Sequence, residues 1–66
     1  MSVNAADGLS PPPLTIAEVA NLLGVSDDVV RDRIRKKQIR AGKIGGQWRV
    51  RREDLAEYIM TVFEKS

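Results

Sequence analysis

The stretch LTIAEVANLLGVSDDVVRDRIRKK, Leu14 to Lys37, decides how this chain folds. Thr15 and Glu18 stand three apart as a capping box, in which each side chain satisfies a backbone N–H that the helix start leaves over. Leu14 before the cap and Val19 after it are spaced as a hydrophobic staple. Ile16, Val19, Ala20 and Leu23 then recur every three or four positions, which is one face of a helix of about two turns. Gly24 is placed to end it as a left-handed C-terminal glycine. Ser26 is a good N-cap for a second helix, with Asp27 and Asp28 in the first turn, where the helix dipole favours acids. Val30 and Ile34 form its inward stripe. Two amphipathic helices joined by the short turn Gly24-Val25-Ser26 make a helix-turn-helix pattern.

Beyond Lys37 the periodicity changes. Ile39 to Ile44, Gly45-Gly46 and Gln47 to Val50 read as a two-stranded hairpin around a Gly-Gly turn. A two-residue turn pairs Ile44 with Gln47 and Lys43 with Trp48, whereas a three-residue turn that includes Ile44 pairs Lys43 with Gln47. Both registers put Gln47 and Arg49 on the face opposite Trp48 and Val50. A third helix begins near Arg52, with Leu55, Tyr58, Ile59, Val62 and Phe63 as its apolar side. The expected fold is small α+β: a winged helix-turn-helix with three helices and a two-stranded β-hairpin wing. Residues 14–66 form this domain, and residues 1–13, which include Ser10-Pro11-Pro12-Pro13, read as a flexible leader.

Charge gives the first functional direction. Ten of the eleven Lys and Arg lie between Arg31 and Arg52, where Asp32 is the one acid, so these 22 residues carry +9 within a chain of net charge +2. The acidic flanks make up the difference, and the positive field is concentrated on part of a small surface. Such a field suits a polyanion; its bland alternative is a solvated face. With 66 residues, no Cys and no His, disulfides and zinc held by thiolate or imidazole are excluded. Most nucleophile–base pairs are excluded too. Glu53, Asp54 and Glu57 crowd one helix start, but helix N-termini attract acids anyway. We therefore expect no enzyme, no metal, no cofactor and no membrane span.

With Val30 and Ile34 turned inward, Asp28, Arg31, Asp32 and Arg35 fall on the opposite side of the second helix. Arg31 and Arg35 lie about one turn apart, and guanidinium groups can read guanine bidentately. Asp28 and Asp32 would accept from cytosine or orient the arginines; otherwise all four are surface neighbours bound by weak ion pairs. Lys36 and Lys37, at the helix end, suit phosphate contact or the helix dipole. On the wing, Arg49 and Gln47 are the expected contacts, with Lys43 depending on register. Gly45 and Gly46 would let the tip enter a narrow groove. Trp48 reads as a core anchor.

The run LTIAEVANLLGVSDDVVRDRIRKKQIRAGKIGGQWRVRREDLAEYI, Leu14 to Ile59, resembles the excisionase-like branch of the MerR-type winged-helix proteins. The likeness rests on Leu14-Thr15 with Glu18-Val19-Ala20, on Leu23-Gly24-Val25-Ser26, and on Trp48-Arg49-Val50 with Arg52-Glu53-Asp54-Leu55. It implies a second helix in the major groove of double-stranded DNA and a wing at the adjacent minor groove or backbone. It further implies a recombination directionality factor that bends DNA at repeated sites and steers an integrase partner toward excision. That role would place it in the cytoplasm of a bacterial host, on the nucleoid. The chain departs from the family pattern at Lys37, where glycine is frequent, at Arg33, often apolar, and at Val29, commonly Ser or Thr. A small transcriptional regulator is the alternative within DNA binding, and a protein–protein adaptor the alternative outside it. The short segment after Arg52 suggests a monomer that self-associates head-to-tail on DNA.

Overall fold

The computed structural model describes residues 12–64, so the leader reading of residues 1–13 lies outside the described residues except at Pro12 and Pro13. The elements run β1 (Leu14–Thr15), α1 (Ile16–Leu23), α2 (Asp27–Arg35), β2 (Gly42–Ile44), β3 (Gln47–Val50) and α3 (Arg52–Glu64). Three helices and an antiparallel hairpin are thus present in the expected order.

The expected capping box closes α1. The Thr15 N–H donates to Glu18 Oε1 at 2.8 Å, and the Glu18 N–H donates to Thr15 Oγ1 at 3.1 Å. Leu14 and Val19, the staple pair, are both buried. Replacing Thr15 with Ala is expected to cost about 1 kcal/mol, because one of the initial N–H groups loses its acceptor. A urea melt monitored by circular dichroism reads this directly, and an unchanged midpoint would contradict it.

Both helices of the pair end in the same hydrogen-bonded exit. At the end of α1 the Val25 N–H donates to the Ala20 carbonyl and the Gly24 N–H to that of Asn21. At the end of α2 the Gln38 N–H donates to Arg33 and the Lys37 N–H to Ile34. This is the Schellman pattern, which requires a left-handed residue at its centre. Gly24 supplies it at φ 72° and Lys37 at φ 65°. Lys37 is the one described residue other than glycine with a positive φ.

The hairpin takes the two-residue register. Gly42 pairs with Arg49, Lys43 with Trp48 and Ile44 with Gln47. Gly45 and Gly46, at φ 62° and 83°, have the two positive φ values that the favoured tight hairpin turn needs. Two points differ from the sequence reading. The first strand begins at Gly42 and not at Ile39, because the Ile39 N–H is spent on the Arg33 carbonyl in the α2 exit and is not offered to a ladder. The sheet also has a third member: β1 pairs antiparallel with β3, Leu14 opposite Val50 and Thr15 opposite Arg49, giving the order β1-β3-β2. The wing is thereby stitched to the start of α1.

The core joins all the elements apart from β2: Leu14, Val19, Ala20, Val30, Ile34, Ile39, Val50 and Leu55. Trp48, Tyr58 and Ile59 pack half-buried against it. The apolar side expected along all of α3 is buried only in its first half. Val62 and Phe63 are exposed, Phe63 by 72%. In the last turns of this 13-residue helix, Val62 and Phe63 border an open groove with Leu23, Val25 and Val29 and do not enter the core. At its start, Arg51 clamps the buried Asp54 carboxylate through Nε at 2.8 Å and a second nitrogen at 3.3 Å. That pairing fixes the corner between β3 and α3 and raises the guanidinium pKa above its ordinary value.

Candidate nucleic-acid interface

Helix α2 presents a linked set of charges. Asp28 accepts from Arg31 at 3.2 Å, and the Asp28 side chain is almost wholly exposed. Asp32 is the hub: it meets Arg33 at 2.9 Å, Lys36 at 3.2 Å and Arg35 at 3.3 Å. Lys36 first, and then Arg35, hold its carboxyl below the usual aspartate range. An acid among three cations fixes where they point and leaves the cluster positive. Asp32 therefore orients the basic side chains of α2. The links to Lys36 and Arg33 were not read from the sequence, although Asp32 and Lys36 stand at the i,i+4 spacing that signals such a pair.

The two arginines expected to work together are placed differently. Arg31 lines a cleft of about 340 Å³ between the start of α2, the first turn of α1 and the wing. Lys43, Gly46, Gln47 and Arg49 line the same cleft, as does Asp27. Arg35 is not among its walls and stays largely exposed on α2. Gly45 forms the hairpin turn beside Gly46.

The wing residues are held by contacts that do not neutralise them. One Arg49 guanidinium nitrogen donates to Gln47 Oε1 at 3.3 Å and to the Trp48 carbonyl at 3.2 Å. The Lys43 ammonium sits 5.1 Å from the centroid of the Trp48 ring, its cross-strand partner. An aromatic face attracts a cation without cancelling its charge. Trp48 thus packs on the core and also carries Lys43. Glu18, on the neighbouring helix, is held below the ordinary glutamate range mainly by the Thr15 N–H, with Arg52 and Arg49 adding to the effect.

Lys37 faces elsewhere. Together with Arg40 and Arg51 it lines a wider concavity of about 620 Å³, with Ile39, Ala41 and Trp48 among its apolar walls. Its left-handed backbone is unfavourable for a side chain by roughly 1 kcal/mol. Lys37→Gly is accordingly expected to stabilise the fold by about 0.5–1 kcal/mol, and Lys37→Ala should bring no such gain. Thermal melts of both variants check this, and a lower melting temperature for the glycine variant would refute it.

Among the described residues no cluster of three or more His, Cys, Asp or Glu could hold a metal ion. Nor is any helix among them long and apolar enough to cross a membrane. No curated protein and no solved structure gives a significant match to the chain. Residues 13–61 match the family model described as a helix-turn-helix domain. That span is well over half of the chain, which therefore belongs to the helix-turn-helix domain family, a DNA-binding fold.

Proposed function

We propose, from that membership, that the protein is a non-enzymatic, sequence-preferring DNA-binding protein of the excisionase type within the MerR-like winged helices. It lays α2 in the major groove and the wing over the adjacent minor groove or backbone. The observation that carries this reading is the joint placement of α2 and the wing. Arg31, Lys43 and Arg49 come from two separate elements and meet around one cleft, while Arg35 stands outside it on α2. This arrangement suits simultaneous contact with two grooves.

In this reading Arg35 is the base-reading arginine, with Asp28 beside Arg31 on the same helix. Lys36, Lys37, Gly45, Gly46 and Gln47 serve backbone contact and fit of the wing tip. Arg35→Ala is expected to cost about tenfold or more against the preferred duplex and to relax its preference over a scrambled one. Arg49→Ala should weaken both duplexes about equally. Competitive anisotropy titrations separate the two. Selectivity lost only in the Arg49 variant would reverse the assignment.

The exposed Phe63 and Ile44, at 72% and 58%, lie on α3 and on the basic wing. An acidic α3 of one copy can meet the basic wing of the next, which supports head-to-tail self-association on tandem sites; bending of the DNA as copies accumulate and direction of an integrase toward excision belong to the excisionase reading itself. Residence on the bacterial nucleoid follows from that role. Ultracentrifugation of the free protein and footprinting on multi-site DNA test the assembly, and an excision assay with an integrase tests the role. A tight dimer without DNA that protects one inverted repeat would overturn the assembly. Excision unaffected by the protein would overturn the role.

A further inference from the structure

The cleft between α2 and the wing is walled by Arg31, Lys43 and Arg49, with Asp27 as its one acid wall. The first turn of α1, Thr15 to Ala17, closes one side. Thr15 Oγ1 takes the Glu18 N–H and the register of β1 on β3 directs the Ile16 N–H to the Trp48 carbonyl, whereas the Ala17 N–H has no partner within the helix by position. Asp27 opens α2, where the helix dipole offsets its charge. Arg49 hydrogen-bonds to neutral acceptors, with the Glu18 carboxylate near enough to feel its charge, and Lys43 lies over a ring. Arg31 gives one hydrogen bond to Asp28 and has further donors on its guanidinium.

A domain that straddles two adjacent grooves must let the intervening sugar–phosphate strand pass between its two reading elements. Groups lining that passage face phosphate oxygens and not base edges. Resting on the DNA-binding reading above, we propose that this cleft grips one backbone phosphate of the bound duplex. Arg31 and Arg49 hold it, with Lys43 on the Trp48 face at the edge of the cleft and the Ala17 amide behind. Arg31 then fixes the register of the protein on DNA and does not read a base, which separates it from Arg35 on the same helix.

The test is a neutral-phosphate scan. A duplex selected by the protein from a random pool is remade with a single methylphosphonate at each successive backbone position. Each version is titrated with the wild-type protein and with the Arg31→Ala, Lys43→Ala and Arg49→Ala variants, whose folding is verified by thermal melts. One position is expected to cost the wild type about tenfold. At that same position the Arg31 and Arg49 variants should lose little more, because their partner is already gone. Arg31→Ala should leave the ratio of selected to scrambled binding unchanged. Additive losses at every position, or an Arg31 variant that loses its preference, would overturn the clamp while leaving DNA binding intact. A wild-type protein that binds no duplex at all would instead overturn the DNA-binding reading on which the clamp stands.

Discussion

Raising the salt concentration from about 50 to about 200 mM is expected to weaken DNA binding by roughly two and a half to three and a half orders of magnitude. Each phosphate neutralised by a protein cation releases condensed counterion, and affinity falls with salt by about 0.9 log units per contact for each tenfold increase. The basic side chains of α2, the wing and the α2 exit offer roughly four to seven such contacts, which gives a log–log slope of about −4 to −6. The net charge of +2 would suggest a far weaker dependence. What matters is that the acids of α3 and the N-terminal region are not interleaved with the basic stretch. Anisotropy titrations at four or five salt concentrations supply the slope. A slope near −1 would mean that the clustered cations are merely solvated, and the proposed interface would have to be abandoned.

The largest stability effect is expected at Ile39, which belongs to no helix or strand. It is 1% exposed and is among the largest fully buried side chains. Truncating such a residue to Ala costs about 2–5 kcal/mol, since both the transfer energy and the cavity count. A domain of this size commands only about 3–10 kcal/mol in total, so Ile39→Ala should leave the protein marginally folded near room temperature. Ile44→Ala, only five positions along but 58% exposed, is expected to stay within about 0.5 kcal/mol of the wild type. Urea melts of the two variants make the comparison. A loss below about 1 kcal/mol at Ile39 would mean that the site collapses freely and that the α2 exit is not the plug of this core.

Local signals carried much of this fold. The Thr15–Glu18 box, Gly24 and Ser26 act through hydrogen bonds and dihedral preferences spanning at most five residues, and each does in the structure what its spacing implies. The Gly45-Gly46 turn is equally local, although two registers were open until the pairing of Lys43 with Trp48 excluded one. Val30, Ile34 and Leu55 were legible as core because helical periodicity states which positions share a face. Among the candidate site residues, the basic character of the stretch from Arg31 to Arg52 was equally plain, since charge is a property of residue type.

Tertiary structure alone decided the rest. A two-residue β1 has too little length to leave a periodic trace, and it exists only because β3 offers an open edge to Leu14 and Thr15. Ile39 reads as a strand residue by type, yet the α2 exit takes its N–H and the core takes its side chain. No local rule announces a left-handed Lys37, because a lysine ordinarily avoids that conformation and only the surrounding hydrogen bonds impose it. Arg31 and Arg35 look equivalent on a helical wheel, and the wing makes them different by standing beside one and not the other. The sequence by itself determined the elements, their caps and their charge, all of which depend on near neighbours. Which cations converge on one cleft depends on how α1, α2 and the wing pack, and that is fixed by contacts between residues far apart in the chain.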